Sequence, residues 1–327
     1  MHDDCSVCGG VYEGIQRVSL ELAPTRIVRV IRQLKAGEVD VAYLPNKEVS
    51  AFEADGNFQI EKMEGSNITS LLAFNLAKPP MDNVHLRRAI MHAVNADAIN
   101  KAVYFDRAVK ADAGMWPVNS WVHAPNANRP DYSVEKAREE LKLGGMPDGF
   151  EVEIVTWNGG SHPQAAEVVR ALLLQVGIKA HITVLTVGTA TEQFFQGGAY
   201  PIYLSSWSRY PEPDWIASLV LKSDGYYNAG NVENAEIDAL IAKGAATYDQ
   251  AERKAIYQQI NDTVLGEAWI VPMLYGVYYA AAPDYVRNLD SFIAWDGKPD
   301  VKRIWLDPDR IAALNMAPSE ILAAVRA

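Results

Sequence analysis

Residues 201–215 read PIYLSSWSRYPEPDW, and this stretch joins an apolar strand to a polar turn. Its apolar start needs burial, whereas Pro211 and Pro213 fix φ and cannot continue a strand ladder. Asp214 can cap a short helix over residues 215–221, because its carboxylate can accept from free backbone N–H groups. The stretch therefore predicts a buried strand that ends in a loop of aromatic and charged side chains.

This loop is a candidate ligand site, because ligands of sheet-based folds bind where strands end and loops begin. Its aromatic and charged side chains suit an organic ligand with a polar end. The alternative is a wide turn with two structural tryptophans, since large aromatic residues mostly lie in cores. The candidate side chains of this loop are Trp207, Ser208, Arg209, Tyr210 and Asp214.

A second candidate region is the segment 106–130, which has no sustained hydrophobic period. A connection of that length is unusual unless it is functional or packed on itself. It carries Trp116 and Trp121, which could form a wall of a pocket. A packed surface loop is the equally open alternative.

Length and composition limit the possible classes of protein. The chain has 327 residues, of which 49% are hydrophobic and 22% charged, so about two soluble globular domains are expected. The net charge of −11 argues against nucleic acid or an anionic membrane as a partner, because both attract a basic surface. No apolar run approaches the ~20 residues that cross a bilayer, and the N-terminus lacks the pattern of a secretion signal.

The order of predicted elements indicates an α/β fold. Strands at residues 17–22, 39–44 and 58–63 alternate with helices, which predicts mainly parallel strands covered by helices. One of these helices starts at Pro24 and ends before Gly37. The run 269–281 contains a proline and is expected to be a bent or edge strand.

No catalytic, metal or cofactor pattern stands out. The helix that carries His85 and His92 separates them by about 10 Å, too far for joint ligation of one metal. Glu212 and Asp214 could act as the acid and nucleophile of a hydrolase, although a capping or solvated pair is the favoured alternative. The Cys5 and Cys8 pair has no preceding strand and no second cysteine pair, which favours a disulfide or free thiols.

Several stretches, in order, resemble the solute-binding proteins of ABC importers of the dipeptide, oligopeptide and nickel class, family 5. The similarity runs from about residue 9 to residue 290. The segments that carry it are 34–42 (LKAGEVDVA), 74–90 (FNLAKPPMDNVHLRRAI), 132–138 (YSVEKAR), 147–150 (PDGF), 175–179 (QVGIK), 207–214 (WSRYPEPD), 234–241 (NAEIDALI) and 270–273 (IVPM).

The resemblance implies a periplasmic-binding-protein-like clamshell of two α/β lobes, type II and similar to cluster C. It assigns residues 1–73 to the remaining part of proximal lobe I, 74–272 to distal lobe II, and 273–327 to a return segment into lobe I. Family chains have a signal peptide or lipoprotein cysteine and further structure before the point that Cys8 matches. The expectation is an N-terminally truncated member with a complete distal lobe and an incomplete proximal lobe.

Peptide binders of this family place an Asp just before the turn, where it pairs with the ligand's free amine. This chain has Arg209 there, which suits a carboxylate, a phosphate or sugar hydroxyls. The alternative is that Arg209 faces solvent and that Asp214 or Glu212 takes the amine role.

The resemblance implies a non-enzymatic, monomeric solute-binding component of an ABC importer, without a cofactor. Its ligand would be a peptide-like or other small organic solute, and its partner the membrane permease. A full-length member is periplasmic or a cell-surface lipoprotein. A truncated fragment that binds no ligand is the first alternative, and a hydrolase is the second.

Overall fold

The computed structural model describes residues 18–19, 24–63, 68–126, 131–208, 212–294 and 300–307. These residues form a mixed α/β fold with two compact units, the first up to Met63 and from Val277 onward, the second Glu64–Gly276. The lobe boundaries expected after residues 73 and 272 fall inside strands of the second unit. The correspondence between these units and the family lobes stays a prediction.

The first unit contains a four-stranded sheet of order β1-β2-β10-β3. Strands β1 and β2 are parallel, and β10 is antiparallel to both β2 and β3. The three strands β1, β2 and β3 therefore run in one direction, as predicted, and β10 lies between β2 and β3 in the opposite direction. The strands are β1 Val18–Ser19, β2 Val41–Leu44, β3 Phe58–Met63 and β10 Tyr278–Pro283, with the short pair β11 Val286–Arg287 and β12 Trp305–Leu306 beside them.

Two helices, α1 Pro24–Lys35 and α2 Asn46–Asp55, belong to this first unit. Helix α1 confirms the predicted helix, and it ends where Gly37 takes a φ of +71°, a conformation that favours glycine. Its buried side chains are Val30, Ile31 and Leu34.

The second unit contains a six-stranded sheet of order β5-β9-β4-β8-β6-β7. Its strands are β4 Ile68–Phe74, β5 Val109–Lys110, β6 Glu151–Trp157, β7 Lys179–Leu185, β8 Ile202–Ser208 and β9 Ile270–Tyr275. Its helices are α3 Val84–Ala93, α4 Ala96–Ile99, α5 Val134–Leu143, α6 His162–Leu174, α7 Val187–Phe195, α8 Pro213–Ile216, α9 Ala235–Ala246 and α10 Gln250–Gly266, with π-helical turns at Asn100–Tyr104 and Ala217–Leu221.

The alternation of strand side chains gives this sheet two apolar faces. On one face, Leu72 and Leu204 pack with residues of α3, α5 and α6. On the other, Leu71 and Tyr203 pack with residues of α7, α9 and α10. The burial of both faces explains why the start of β8 is an uninterrupted apolar run.

The run 269–281 is two strands rather than one. Strand β9 belongs to the sheet of the second unit and β10 to that of the first, and Gly276 and Val277 separate them. The pairing of β4 with β9 is irregular between Ser70 and Leu71, next to Pro272. Proline has no N–H to donate, which accounts for a local break in a regular ladder.

The C-terminus of α10 is held by two arginines of α3. Arg87 is 4% exposed and donates to the backbone carbonyls of Met81, Glu267 and Ala268. Arg88 donates to the carbonyl of Gly266. Burial lowers the pKa of Arg87 to about 10, while nearby Glu267 opposes that shift. These guanidinium groups satisfy the carbonyls that a helix end leaves without partners.

Candidate functional site

Four strands of the second unit end at one edge of its sheet. Strand β8 is parallel to β6, which is parallel to β7, and β4 runs antiparallel to both β8 and β9. Strands β6, β7, β8 and β9 therefore share a direction, and their last residues are Trp157, Leu185, Ser208 and Tyr275. We call this end of the sheet the carboxyl edge. Ligands of α/β proteins bind beyond the carboxyl ends of strands.

Trp207 is the penultimate residue of β8, opposite Thr69 of β4. It is 9% exposed, and its ring lies 6.5 Å from that of Phe195. Ser208 ends the strand opposite Ile68, but its side chain lies outside the described residues, as do Arg209 and Tyr210 entirely. The structure thus places Trp207 largely in the core, and its ligand-binding role stays a prediction.

The short helix α8 follows this strand, and its N-cap differs from the predicted one. The cap is Glu212, whose carboxylate accepts from the backbone N–H of Asp214 at 3.2 Å. Pro213 fills the first helical position, where proline is favoured, so Asp214 is the second helical residue and lies two positions after the cap. The expectation that Asp214 caps this helix is wrong.

Asp214 is instead bound by two hydroxyl groups. The Tyr257 hydroxyl donates to its Oδ1 at 2.9 Å and the Ser218 hydroxyl to its Oδ2 at 3.3 Å. Burial raises the pKa of Tyr257, and the bond to Asp214 raises it further, because a phenolate beside a carboxylate is unfavourable. The two acids of the turn therefore have separate partners, unlike the paired carboxylates of a hydrolase.

Arg253 of α10 connects Glu212 to Trp121. It donates to the Glu212 carboxylate through both terminal nitrogens, one at 3.2 Å, and to the carbonyl of Gly244 at 2.9 Å. Its guanidinium lies 5.5 Å from the centre of the Trp121 ring and 5.6 Å from that of Tyr257. These distances allow cation–π attraction, and the Glu212 carboxylate raises the pKa of Arg253.

Trp116 lies in a segment held by buried polar side chains. Asn261 donates to the carbonyl of Ala113 at 2.8 Å and accepts from the N–H of Met115 at 3.2 Å. The Tyr275 hydroxyl donates to the carbonyl of Trp116 at 3.0 Å. Trp116 is 2% exposed, so this part of the segment is packed on itself and on the core.

The structure brings four predicted site residues to one side of the sheet. Trp116, Trp121 and Trp207 belong to the same apolar cluster, and the Trp116 ring lies 6.1 Å from that of Tyr257, the partner of Asp214. The aromatic candidates therefore converge, although two of them are mostly buried. Their contact with a ligand stays a prediction.

A second polar group at the carboxyl edge was not singled out from the sequence. His162, the first residue of α6, stacks on Trp157 with ring centres 4.0 Å apart. Its Nδ1 lies 2.8 Å from the carbonyl oxygen of Gly159, and its Nε2 lies 3.1 Å from Ser206 Oγ. Burial lowers the pKa of His162, and the bond to Gly159 partly offsets that effect. A strand followed by Asn-Gly-Gly-Ser-His was the available sequence signal.

An apolar crevice lies against the face of the sheet that carries Trp207. Its free volume of about 30 Å³ suits a water molecule, far below the few hundred Å³ of an organic ligand site. Its larger lining side chains are Phe74, Phe195, Trp207, Tyr227 and Trp269.

Two absences hold for the part of the chain that the structure describes. No group of three or more His, Cys, Asp or Glu side chains there is arranged to hold a metal ion. No helix within the same residues combines the length and apolar character needed to cross a bilayer.

Comparison with known families supports the resemblance noted above. A model of the bacterial extracellular solute-binding proteins, family 5 Middle, matches residues 14–228. The glutathione-binding protein GsiB of Escherichia coli K12 is 27% identical over 273 residues, which cover 79% of this chain and 52% of GsiB. GsiB of Shigella flexneri serotype 5b matches with the same identity and coverage. The chain thus spans about half the length of these relatives.

Solved structures confirm the predicted α/β fold. The Helicobacter pylori protein DppA in complex with the peptide STSA is 26% identical, with a TM-score of 0.74 over 86% of this chain and 55% of DppA. Staphylococcus aureus NikA in complex with Ni(L-His)2 is 20% identical, with a TM-score of 0.71 over 86% of this chain and 60% of NikA. AgaA from A. tumefaciens R10 in complex with agropinic acid is 23% identical, with a TM-score of 0.70 over 81% of this chain and 54% of AgaA.

Proposed function

Because the chain belongs to family 5 of the bacterial extracellular solute-binding proteins, we propose that it is a solute-capturing component of an ABC importer. It takes up a peptide-like or other small organic solute by lobe closure and delivers that solute to a membrane permease. It acts as a monomer in the periplasm or at the cell surface. The family consists of binding proteins rather than enzymes, which agrees with the separate partners of Glu212 and Asp214.

The names of similar proteins support a solute built from amino acids. GsiB is a glutathione-binding protein, and DppA was solved with the peptide STSA. Each of these molecules carries at least one carboxylate and one amino group. We propose the same class for this chain, a small zwitterionic or anionic peptide-like solute.

The observation that carries this proposal is the carboxyl edge, where four strands end beside the candidate site residues. Such an edge is the common ligand position in α/β proteins. Trp207 and Ser208 end β8, and Arg209 and Tyr210 follow them directly in the chain. Asp214, Trp116 and Trp121 complete the proposed set.

Arg209 is the proposed partner of the solute's carboxylate. A guanidinium can donate two parallel hydrogen bonds to a carboxylate, which gives both affinity and orientation. Glu212 is occupied by Arg253, and Asp214 accepts from Tyr257 and Ser218. These bonds favour the anion-binding interpretation over one in which either acid serves mainly as an amine receptor.

A thermal unfolding panel tests this function. The panel contains glutathione, Met-Leu, agropinic acid, oligosaccharides, sugar phosphates and Ni²⁺. A solute that binds only the folded chain stabilises it by about 2.7 kcal/mol at a hundredfold excess over Kd. We expect glutathione or Met-Leu to raise the unfolding midpoint, and the sugars to leave it unchanged.

Two matched variants show whether the shift comes from the proposed site. Arg209→Ala should abolish the shift with carboxylate solutes. Arg170→Ala should keep it, because Arg170 is an exposed residue of α6 that pairs with Glu167 of the same helix. Cooperative unfolding without any shift would contradict the proposal and favour the alternative of a fragment that binds no ligand.

A further inference from the structure

The hydrogen bonds of His162 fix the position of its proton. The Gly159 carbonyl can only accept, so the ring nitrogen 2.8 Å away, Nδ1, carries the hydrogen. His162 is 7% exposed, and its burial favours the neutral ring. A neutral imidazole protonated at Nδ1 has a lone pair at Nε2, which must then accept from Ser206 Oγ at 3.1 Å.

These two hydrogen bonds fix the orientation of the Ser206 hydroxyl group. A serine hydroxyl has one hydrogen to donate and two lone pairs that can accept. Its hydrogen is directed to His162, so only its lone pairs remain for a second partner. Ser206 is partly exposed, which leaves room for such a partner.

The position of Ser206 in the sheet makes it accessible from the carboxyl edge. Ile154 and Val155 of β6 lie opposite Ile202 and Tyr203 of β8. Continued along the strands, that register places Ser206 beyond Trp157, where β6 ends. A side chain past the end of the neighbouring strand can contact a solute at this edge.

We propose that Ser206 is a specificity-determining acceptor that selects solutes carrying an N–H or ammonium donor, and that His162 is the positioning residue that keeps it an acceptor. This inference rests on the proposed function and narrows it. A peptide-like solute would place its amino group at Ser206. A fully anionic solute without a donor would gain nothing from Ser206.

The same arrangement predicts a dependence on pH. When His162 takes a second proton, Nε2 becomes a donor to Ser206 Oγ, and the hydroxyl hydrogen turns toward the solute. An N–H or ammonium group of the solute then faces the hydroxyl hydrogen of Ser206, and no hydrogen bond can form between two donors. Because burial holds the pKa of His162 below 6.5, this loss occurs in the acidic range and leaves pH 7 unaffected.

Other titratable groups on the elements that pack against α6 have different partners or lie elsewhere. Glu151, at the amino end of β6, contacts both Lys179 and His181 of β7, and Asp97 pairs with Lys110. Tyr104 stays protonated, because burial raises its pKa. The ring of His92 contacts the Asp131 carbonyl, His85 contacts Glu140, and the guanidinium groups of Arg87 and Arg88 bind carbonyls at the end of α10.

The experiment combines nuclear magnetic resonance with calorimetry. Multiple-bond 1H–15N spectra of the His162 ring at pH 7.5 should show a protonated Nδ1 and an unprotonated Nε2. Titration calorimetry with glutathione and Met-Leu at pH 7.5 should then show that Ser206→Ala binds about tenfold more weakly than the wild type. Ser205→Ala, the same change one residue earlier on the opposite face, is the matched control and should bind as the wild type does.

Lowering the pH separates recognition from folding. As the pH falls below 6.5 and His162 takes its second proton, the wild type should lose more affinity than Ser206→Ala, which has no hydroxyl hydrogen that could turn toward the solute. A protonated Nε2 at pH 7.5, or equal affinities of the wild type and Ser206→Ala, would overturn the inference while the proposed function stands. A wild-type chain that binds neither peptide would instead remove the proposed peptide-like function, and this inference with it.

Discussion

Replacing Arg253 with methionine should destabilise the second unit by about 3 kcal/mol. The lost bond to the Gly244 carbonyl accounts for about 1.5 kcal/mol, because the donor is charged. The pair with Glu212 adds only about 0.5 kcal/mol, since half of the Glu212 side chain is exposed. Attraction to the rings of Trp121 and Tyr257 supplies about 0.5 kcal/mol each. Methionine preserves most of the packing of the arginine stem.

Urea unfolding followed by tryptophan fluorescence measures this loss. With a slope of about 3 kcal/mol per molar urea for a chain of this size, the midpoint should fall by about 1 M. Arg170→Met is the matched control, because Arg170 is an exposed arginine paired with Glu167 on α6. Its cost should stay within about 0.5 kcal/mol.

A double-mutant cycle isolates the ion pair within that total. Glu212→Gln removes the charge but keeps an oxygen that can cap α8. The coupling between Glu212→Gln and Arg253→Met should be about 0.5 kcal/mol. If Arg253→Met and Arg170→Met shift the midpoint equally, Arg253 does not hold these elements together and the reasoning is refuted.

Three further variants test other parts of the structure. Tyr257→Phe removes a donor from Asp214 and should cost about 1–2 kcal/mol in urea unfolding; no change in midpoint would contradict the bond. Gly244→Ala should destabilise despite the helix preference of alanine, because a Cβ there would lie 2.9 Å from the Tyr257 ring; a stabilised variant would show that the ring can move. His162→Gln should flatten the pH dependence of unfolding. Burial lowers the pKa of His162 in the folded chain, so the free energy of unfolding is highest above pH 6.5 and declines as the pH falls toward that lowered pKa. A pH profile identical to that of the wild type would refute the assignment.

Sequence patterns predicted the strands and helices well where one apolar period dominates. The start of β8 and the apolar face of α1 are such cases, because burial on one or two faces produces a regular pattern of apolar residues in the sequence. The split between β9 and β10 was missed, since an apolar run looks the same whether it serves one sheet or two. Only the pairing partners, far away in the chain, decide where such a run divides.

The sequence predicted where the candidate site lies, but it did not predict which side chains form hydrogen bonds and ion pairs there. The loop after β8 was identified from residues that lie next to one another. In contrast, the partners of that loop come from α10, about forty residues later, where Arg253 and Tyr257 meet Glu212 and Asp214. The bond between His162 and Ser206 likewise joins distant parts of the chain. Local sequence patterns do not predict contacts between residues that are far apart in the chain.

The place of β4 between β8 and β9 has a consequence for how this chain folds. Strand β4 is made before both strands that flank it in the sheet, β8 and β9. At 5–20 residues per second, its first neighbour, β8, begins to emerge only about 6 to 26 seconds after β4 is complete. Meanwhile β6, α6 and β7 can assemble from adjacent sequence, because short connections close at little entropic cost. The nascent chain therefore carries β4 without a neighbour in this sheet until β8 has been made, and without its second neighbour until β9 has been made.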